Sequence, residues 1–152
     1  MINNKCEVCI VLPNNTPVYE TKSWVVSLNP DQAYLGRCYV TLKKHKGDLA
    51  DLTDSEWLEF ADIVKTLEAA VRHAFGATLF NWVCLMNNAF QTEHAKPHIH
   101  WHFRPRYDHK VTFSGTVFSD PSFGHHYDRT HVKKVLPKTL GNINKIIKKQ
   151  FS

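Results

Sequence analysis

The chain has 152 residues and a formal net charge of +5, a length that suits one domain with a substantial core. Its 43% hydrophobic and 22% charged residues exclude a disordered or collagen-like polymer, and no run approaches the roughly 18 apolar residues a membrane helix needs. A pI near 9.0 admits an anionic partner, but Lys145, Lys148 and Lys149 on a solvated helix face account for part of the excess, so neither a membrane nor nucleic acid is expected as a partner.

The opening Met1-Ile2-Asn3-Asn4-Lys5 lacks the apolar stretch of a secretory signal, which predicts a cytoplasmic, reducing location. There the pair in Cys6-Glu7-Val8-Cys9 points to metal binding or redox chemistry rather than a disulfide. A turn at Leu12-Pro13-Asn14-Asn15 leads to a β-branched and aromatic strand over 24–28. After the turn Asn29-Pro30-Asp31 a second strand covers 37–42. Cys38 in it, like Cys84 further on, reads as a small buried hydrophobe.

Thr53-Asp54-Ser55-Glu56 matches a capping box. Trp57, Phe60, Ala61, Val64, Leu67, Val71 and Phe75 then recur at helical spacing, and Gly76 is a natural stop. The run 79–86 is apolar almost throughout and reads as a central strand. Over 98–103 the pattern alternates: His98, His100 and His102 on one face, Ile99, Trp101 and Phe103 on the other. Arg104 and Arg106 are candidate phosphate contacts or, equally, solvated strand-end charges, the second reading being favoured for Arg106. The segment 118–128, rich in aromatics, histidines and turn residues, suggests a lid or specificity loop. His73, His109 and His131 read as surface residues. A last helix follows Pro137, with Leu140, Ile143, Ile147 and Phe151 as its stripe. The order predicts one α+β domain over 1–152, with an antiparallel sheet, a long helix packed across it and a C-terminal helix.

Three histidines in line on one strand face are hard to explain as core packing, because each ring brings polar nitrogens that need partners. Two chemistries compete. The imidazoles can ligate a metal, or one can act as a nucleophile while its neighbours orient it and bind phosphate.

This segment resembles the His-x-His-x-His signature of the histidine triad (HIT) superfamily. Leu28-Asn29-Pro30, the run from Gly36 through Lys43-Lys44-His45, the leucines Leu49 and Leu52, and Asn87-Asn88 resemble its other landmarks in order and spacing. The likeness covers roughly 6–106; residues 107–152 form an extension. It implies a HIT-like fold, with the middle histidine, His100, as nucleophile toward the α-phosphorus of a nucleotide. A nucleotidyl-histidine intermediate would form and be resolved by water. His102 would bind a phosphate oxygen and Asn87 would position it. Asn29 stands where many relatives carry an acidic residue for the ribose hydroxyls, and lacks its charge. Ala95 falls where some relatives place a serine, which leaves His94 as a candidate general acid.

Zinc-containing relatives, the galactose-1-phosphate uridylyltransferases among them, use a Cys-x-x-Cys, the histidine ending the lysine-rich turn and the first triad histidine. The resemblance therefore implies Cys6, Cys9, His45 and His98 as ligands of a structural zinc, a closed set of two thiolates and two imidazoles. The expected activity is a nucleotide hydrolase or nucleotidyl transferase acting on phosphoramidates, aminoacyl nucleotides or dinucleoside polyphosphates. Adenine nucleotides are the default, and a homodimer is possible. The alternatives are a non-catalytic nucleotide-binding module and a metal-dependent enzyme whose histidine triad serves as ligands.

Overall fold

Thr53 Oγ1 accepts from the Glu56 amide at 3.3 Å, and Glu56 Oε2 accepts from the Thr53 amide at 2.7 Å. This reciprocal cap starts the long helix α2, Asp54–Phe75. Gly76 ends it at φ 72°, a left-handed conformation that glycine adopts without steric penalty. In the computed structural model, which describes residues 6–152, α2 is preceded by a short helix α1, Glu7–Val11, and followed late in the chain by α3, Pro137–Lys149.

The buried stripe of α2 is Glu56, Phe60, Ile63, Leu67, Ala70, Val71 and Phe75. It is rotated slightly from the expected one: Ala61 is exposed, Trp57 is 38% exposed, and Ile63 takes the inner position. Phe60 sits among four tryptophans, tilted against Trp24, edge-on to Trp57 and Trp82 and stacked on Trp101 at 4.7 Å. Truncating it to alanine would cost about 3–5 kcal/mol.

Five antiparallel strands form the main sheet: β1 Pro17–Glu20, β2 Trp24–Leu28, β3 Cys38–Leu42, β4 Leu79–Val83 and β5 His100–Arg106. Their order is β1-β2-β3-β5-β4. The apolar run 79–86 therefore yields an edge strand over Leu79–Val83 alone, not a central one. Its side chains are hydrophobic because α2 covers them: Trp82 Nε1 donates to Glu68 Oε1 at 2.8 Å, and the Arg72 guanidinium lies 4.8 Å over the Phe80 ring. The strand carrying the histidines begins at His100, two residues later than its alternation suggests, and runs on to Arg106. His98 and Ile99 instead tie to the turn after β3, where the Ile99 amide donates to the Lys46 carbonyl and the Leu42 amide to the Ile99 carbonyl.

The residues from 107 onward complete the same core. Tyr107, Phe118, Ile143 and Ile147 belong to one cluster with the buried residues of the sheet and α2. A hairpin, β6 Val111–Phe113 and β7 Thr116–Phe118, turns at Ser114 and Gly115, both with positive φ. Arg106 is not a solvated charge. It is 3% exposed, and its Nε and Nη2 grip the Asp120 carboxylate at 2.5 and 3.1 Å, fastening the extension to β5. Phe151 lies just past α3 and stacks on Tyr19 at 4.3 Å. No helix among the described residues is long and apolar enough to cross a membrane.

Candidate functional site

A sheet has two faces, and here they divide the labour. Ile99, Trp101 and Phe103 turn toward the core and α2, while His100, His102 and Arg104 line a cleft of about 600 Å³ on the other side. The register places Thr41 opposite His100 and Tyr39 opposite His102. Arg37 and Arg104 come one step beyond the Cys38–Phe103 pair. All six line the cleft, together with Asn87 and Lys96 on one wall and Tyr127 and Arg129 on another.

His98 organises one end. Its Nε2 meets the Leu42 carbonyl oxygen at 2.7 Å; a carbonyl only accepts, so Nε2 carries the proton and Nδ1 is left with its lone pair. That Nδ1 lies 3.5 Å from Cys6 Sγ, 3.3 Å from Cys9 Sγ and 3.3 Å from His45 Nδ1, and His45 Nδ1 is 3.5 Å from Cys9 Sγ. A tetrahedral zinc with bonds of about 2.0–2.1 Å to nitrogen and 2.3 Å to sulfur has N···N edges near 3.3 Å and N···S edges near 3.6 Å. The four side chains therefore fit that ion. Their charges fit as well: burial first, and then the adjoining Cys6, push the Cys9 thiol up to about 11, so two thiolates here call for a cation. Burial holds His98 below its ordinary value, which favours the neutral imidazole a metal requires. Among the described residues this is the one group of three or more Cys, His, Asp or Glu side chains that could hold a metal. His100 and His102 are not in it.

His100 is held differently. Its Nδ1 lies 2.8 Å from the His98 carbonyl oxygen, so Nδ1–H donates and Nε2 keeps the lone pair. His102 stands 5.0 Å away, ring centroid to centroid, and Tyr39 lies edge-on to both rings. Burial pushes His102 down to about 4, helped by the charges of His100, Arg104, Arg37 and Arg129. It is thus a neutral hydrogen-bonding group at pH 7, in a cleft with a strongly positive field. Such a cleft can bind phosphate and present an unprotonated imidazole nitrogen to it.

The structure brings together Cys6, Cys9, His45 and His98 in one cluster, and His100, His102 and Asn87 around one cleft. It places two candidates elsewhere. Asn29 is 4% exposed, and its Oδ1 accepts from the Asp31 amide at 2.9 Å; it is not a wall of the cleft. His94 is exposed on the connecting loop, between Thr92 and Lys96, which do line the cleft. Arg37, Tyr39, Thr41, Lys96, Tyr127 and Arg129 were not singled out by sequence reasoning. For the first three the signal was present: they are the odd positions of a strand, and share the histidines' face once the two strands are paired. For Tyr127 and Arg129 none was. They reach the cleft because Tyr34 Oη and the Asp128 backbone hold each other across 94 positions.

Comparisons with known proteins bear on the family and the fold. A family model described as HIT domain matches residues 13–109, well over half of the chain. Among solved structures, a hypothetical histidine triad nucleotide-binding protein from Sulfolobus tokodaii superposes with a TM-score of 0.68 at 19% identity, covering 95% of this chain and 91% of that one. A zinc-bound histidine triad family protein from Mycobacterium smegmatis gives 0.58 at 22% identity, with 96% and 95% covered. A uridylyltransferase gives 0.66 at 17% identity; 97% of this chain aligns with 45% of that longer one. No curated protein matches the sequence.

Proposed function

The chain belongs to the histidine triad (HIT domain) family, and from that premise we propose that it is a nucleotide hydrolase or nucleotidyl transferase with His100 as its nucleophile. The observation that carries this reading is the Nδ1–H of His100 donating to the His98 carbonyl. In the neutral ring this leaves the lone pair on Nε2, and His100 lines the cationic cleft. Nε2 would attack the α-phosphorus of a nucleoside 5′-phosphate derivative, a P–N bond forming as the bond to the leaving group breaks. The leaving group would take its proton from a general acid, a part His94 would play from the loop between Thr92 and Lys96. Water would then cleave the P–N bond, freeing a nucleoside monophosphate and returning the electron pair to Nε2.

Neutral His102 would hold a non-bridging oxygen through both displacements, a donor already in place before charge develops. Asn87, at the exposed rim, would position the phosphate. Phosphoramidates, aminoacyl nucleotides and dinucleoside polyphosphates are the substrate classes to which this chemistry applies, with adenine as the first base to test.

Cys6, Cys9, His45 and His98 would hold zinc. The Mycobacterium smegmatis neighbour is a zinc-bound protein, and the spacing of these four side chains suits the same ion. Its contribution would be to lock the His98 ring, and with it the carbonyl on which His100 rests. The edge strand β4, with Leu79 38% exposed and Leu85 just beyond it 41% exposed, supports a homodimer in which two such edges pair.

Purified protein offered adenosine 5′-phosphoramidate and diadenosine polyphosphates should release AMP, and the His100→Ala variant should bind AMP without turnover. Wild-type protein that binds AMP yet turns over no substrate would make this a binding module instead.

A further inference from the structure

Arg104 lies on the triad's own strand face, yet none of the chemistry above requires it. It is 6% exposed, and its Nε and Nη1 are buried without a hydrogen-bond partner. A buried guanidinium with two idle donors is costly unless an acceptor arrives. Tyr127 sets the group in place: its ring lies 3.6 Å under the Arg104 Cζ, a contact that holds the guanidinium while Nε and Nη1 stay unpartnered. Across the ladder stands Arg37. Its Nη1 is spent on Asp31 at 2.6 Å, but its Nε is also buried and unpartnered. Arg129 completes the group at the cleft wall. Burial and the neighbouring Arg37 charge lower the Arg104 pKa, the sign of cations crowded together with too little compensation. Two guanidiniums opposed on adjacent strands, each with an idle buried donor, describe a receptor for an anion.

Building on the nucleotide reading of the same cleft, we propose that Arg104 and Arg37 bind a second phosphate of the substrate. Along a strand, alternate side chains are about 7 Å apart, so this receptor lies one such step from His102 and two from His100. Adjacent phosphorus atoms of a diphosphate are much closer together than that, whereas a ribose separates its 3′- and 5′-phosphates by a span of this order. The second phosphate has two chemical sources, the ribose or an extended polyphosphate chain.

Titration calorimetry at fixed salt with AMP, ADP, diadenosine tetraphosphate and adenosine 3′,5′-bisphosphate separates them. Binding of the bisphosphate about tenfold or more tighter than AMP supports the proposal and places the second phosphate on the ribose. The same gain for diadenosine tetraphosphate alone supports it and places the phosphate on the chain. In the Arg104→Gln variant the gain should shrink to about twofold, with AMP affinity kept; Tyr127→Leu, which leaves the buried guanidinium in place, should reduce it in part. If AMP binds and no second phosphate adds affinity to the wild-type protein, this inference falls while the nucleotide reading stands. If no nucleotide binds, both fall.

Discussion

His98 supports His100 through its backbone: the carbonyl of one accepts from Nδ1 of the other at 2.8 Å, while the His98 ring faces Cys6, Cys9 and His45. One residue thus joins the proposed metal cluster to the proposed nucleophile. Its ring would be fixed by the ion, its peptide by the ring, and the tautomer of His100 by that peptide.

Metal removal should therefore reach the chemistry. Elemental analysis should find one zinc per chain, and Cys9→Ser should lose it. With the cluster open, Tm should fall by about 10 °C or more, since structural zinc contributes several kcal/mol to folding. Turnover should fall further than the folded fraction does. A metal-free wild-type protein of unchanged Tm and activity would remove the cluster from the account.

His102 is held neutral at pH 7, so in the proposed role glutamine should replace it better than alanine. We expect His102→Gln to keep activity within about tenfold and His102→Ala to lose about a hundredfold, because a lone donor aimed at developing charge carries that much. The pH dependence has a definite sign. With His102 lowered to about 4 from 6.5, the unfolded chain takes up the proton first. The stability this residue contributes is complete above pH 6.5 and is lost as pH falls toward 4. Urea melts at pH 7 and pH 4.5 should show a smaller drop for His102→Gln than for wild type.

The Arg106–Asp120 pair is buried on both sides, with side chains 3% and 1% exposed. Asp120→Ala would leave the guanidinium uncompensated and should cost about 3–5 kcal/mol in chemical denaturation. The hairpin and the segment carrying Tyr127 hang from this contact, so loss of the second-phosphate preference should accompany it. A cost under about 1 kcal/mol would mean that the extension is held by its apolar contacts alone.

If β4 edges pair, light scattering should report twice the 17.6 kDa chain mass, and Leu79→Lys with Val83→Lys should give monomers, since charge on an edge strand opposes pairing. A monomeric wild-type chain would rule the homodimer out.

The legible parts of the fold were local. The Thr53–Glu56 box, the glycine stop at 76 and the alternation of 98–103 each rest on neighbours a few positions apart, and each led to the right element. What was hidden depends on pairing between distant strands. The run 79–86 is apolar enough for a sheet centre, and only the strand order shows that a helix, not a second strand, covers it. Arg106 looked like a strand-end charge because Asp120 stands 14 positions away across a hairpin. The histidines were visible as a site, but Arg37, Tyr39 and Thr41 join them only when β3 is laid against β5 in register. Tyr127 and Arg129 depend on one contact with Tyr34 that no pattern announces.

The central claim is a covalent bond to His100, and intact-mass spectrometry of the reacting enzyme tests it most directly. Quenching under denaturing, mildly alkaline conditions during turnover of a nucleoside 5′-phosphate derivative preserves a P–N bond. The account predicts an added nucleotidyl group that maps to His100, decays as product appears and is absent from His100→Ala. Turnover that persists in His100→Ala, or an adduct that maps to another residue, would contradict it.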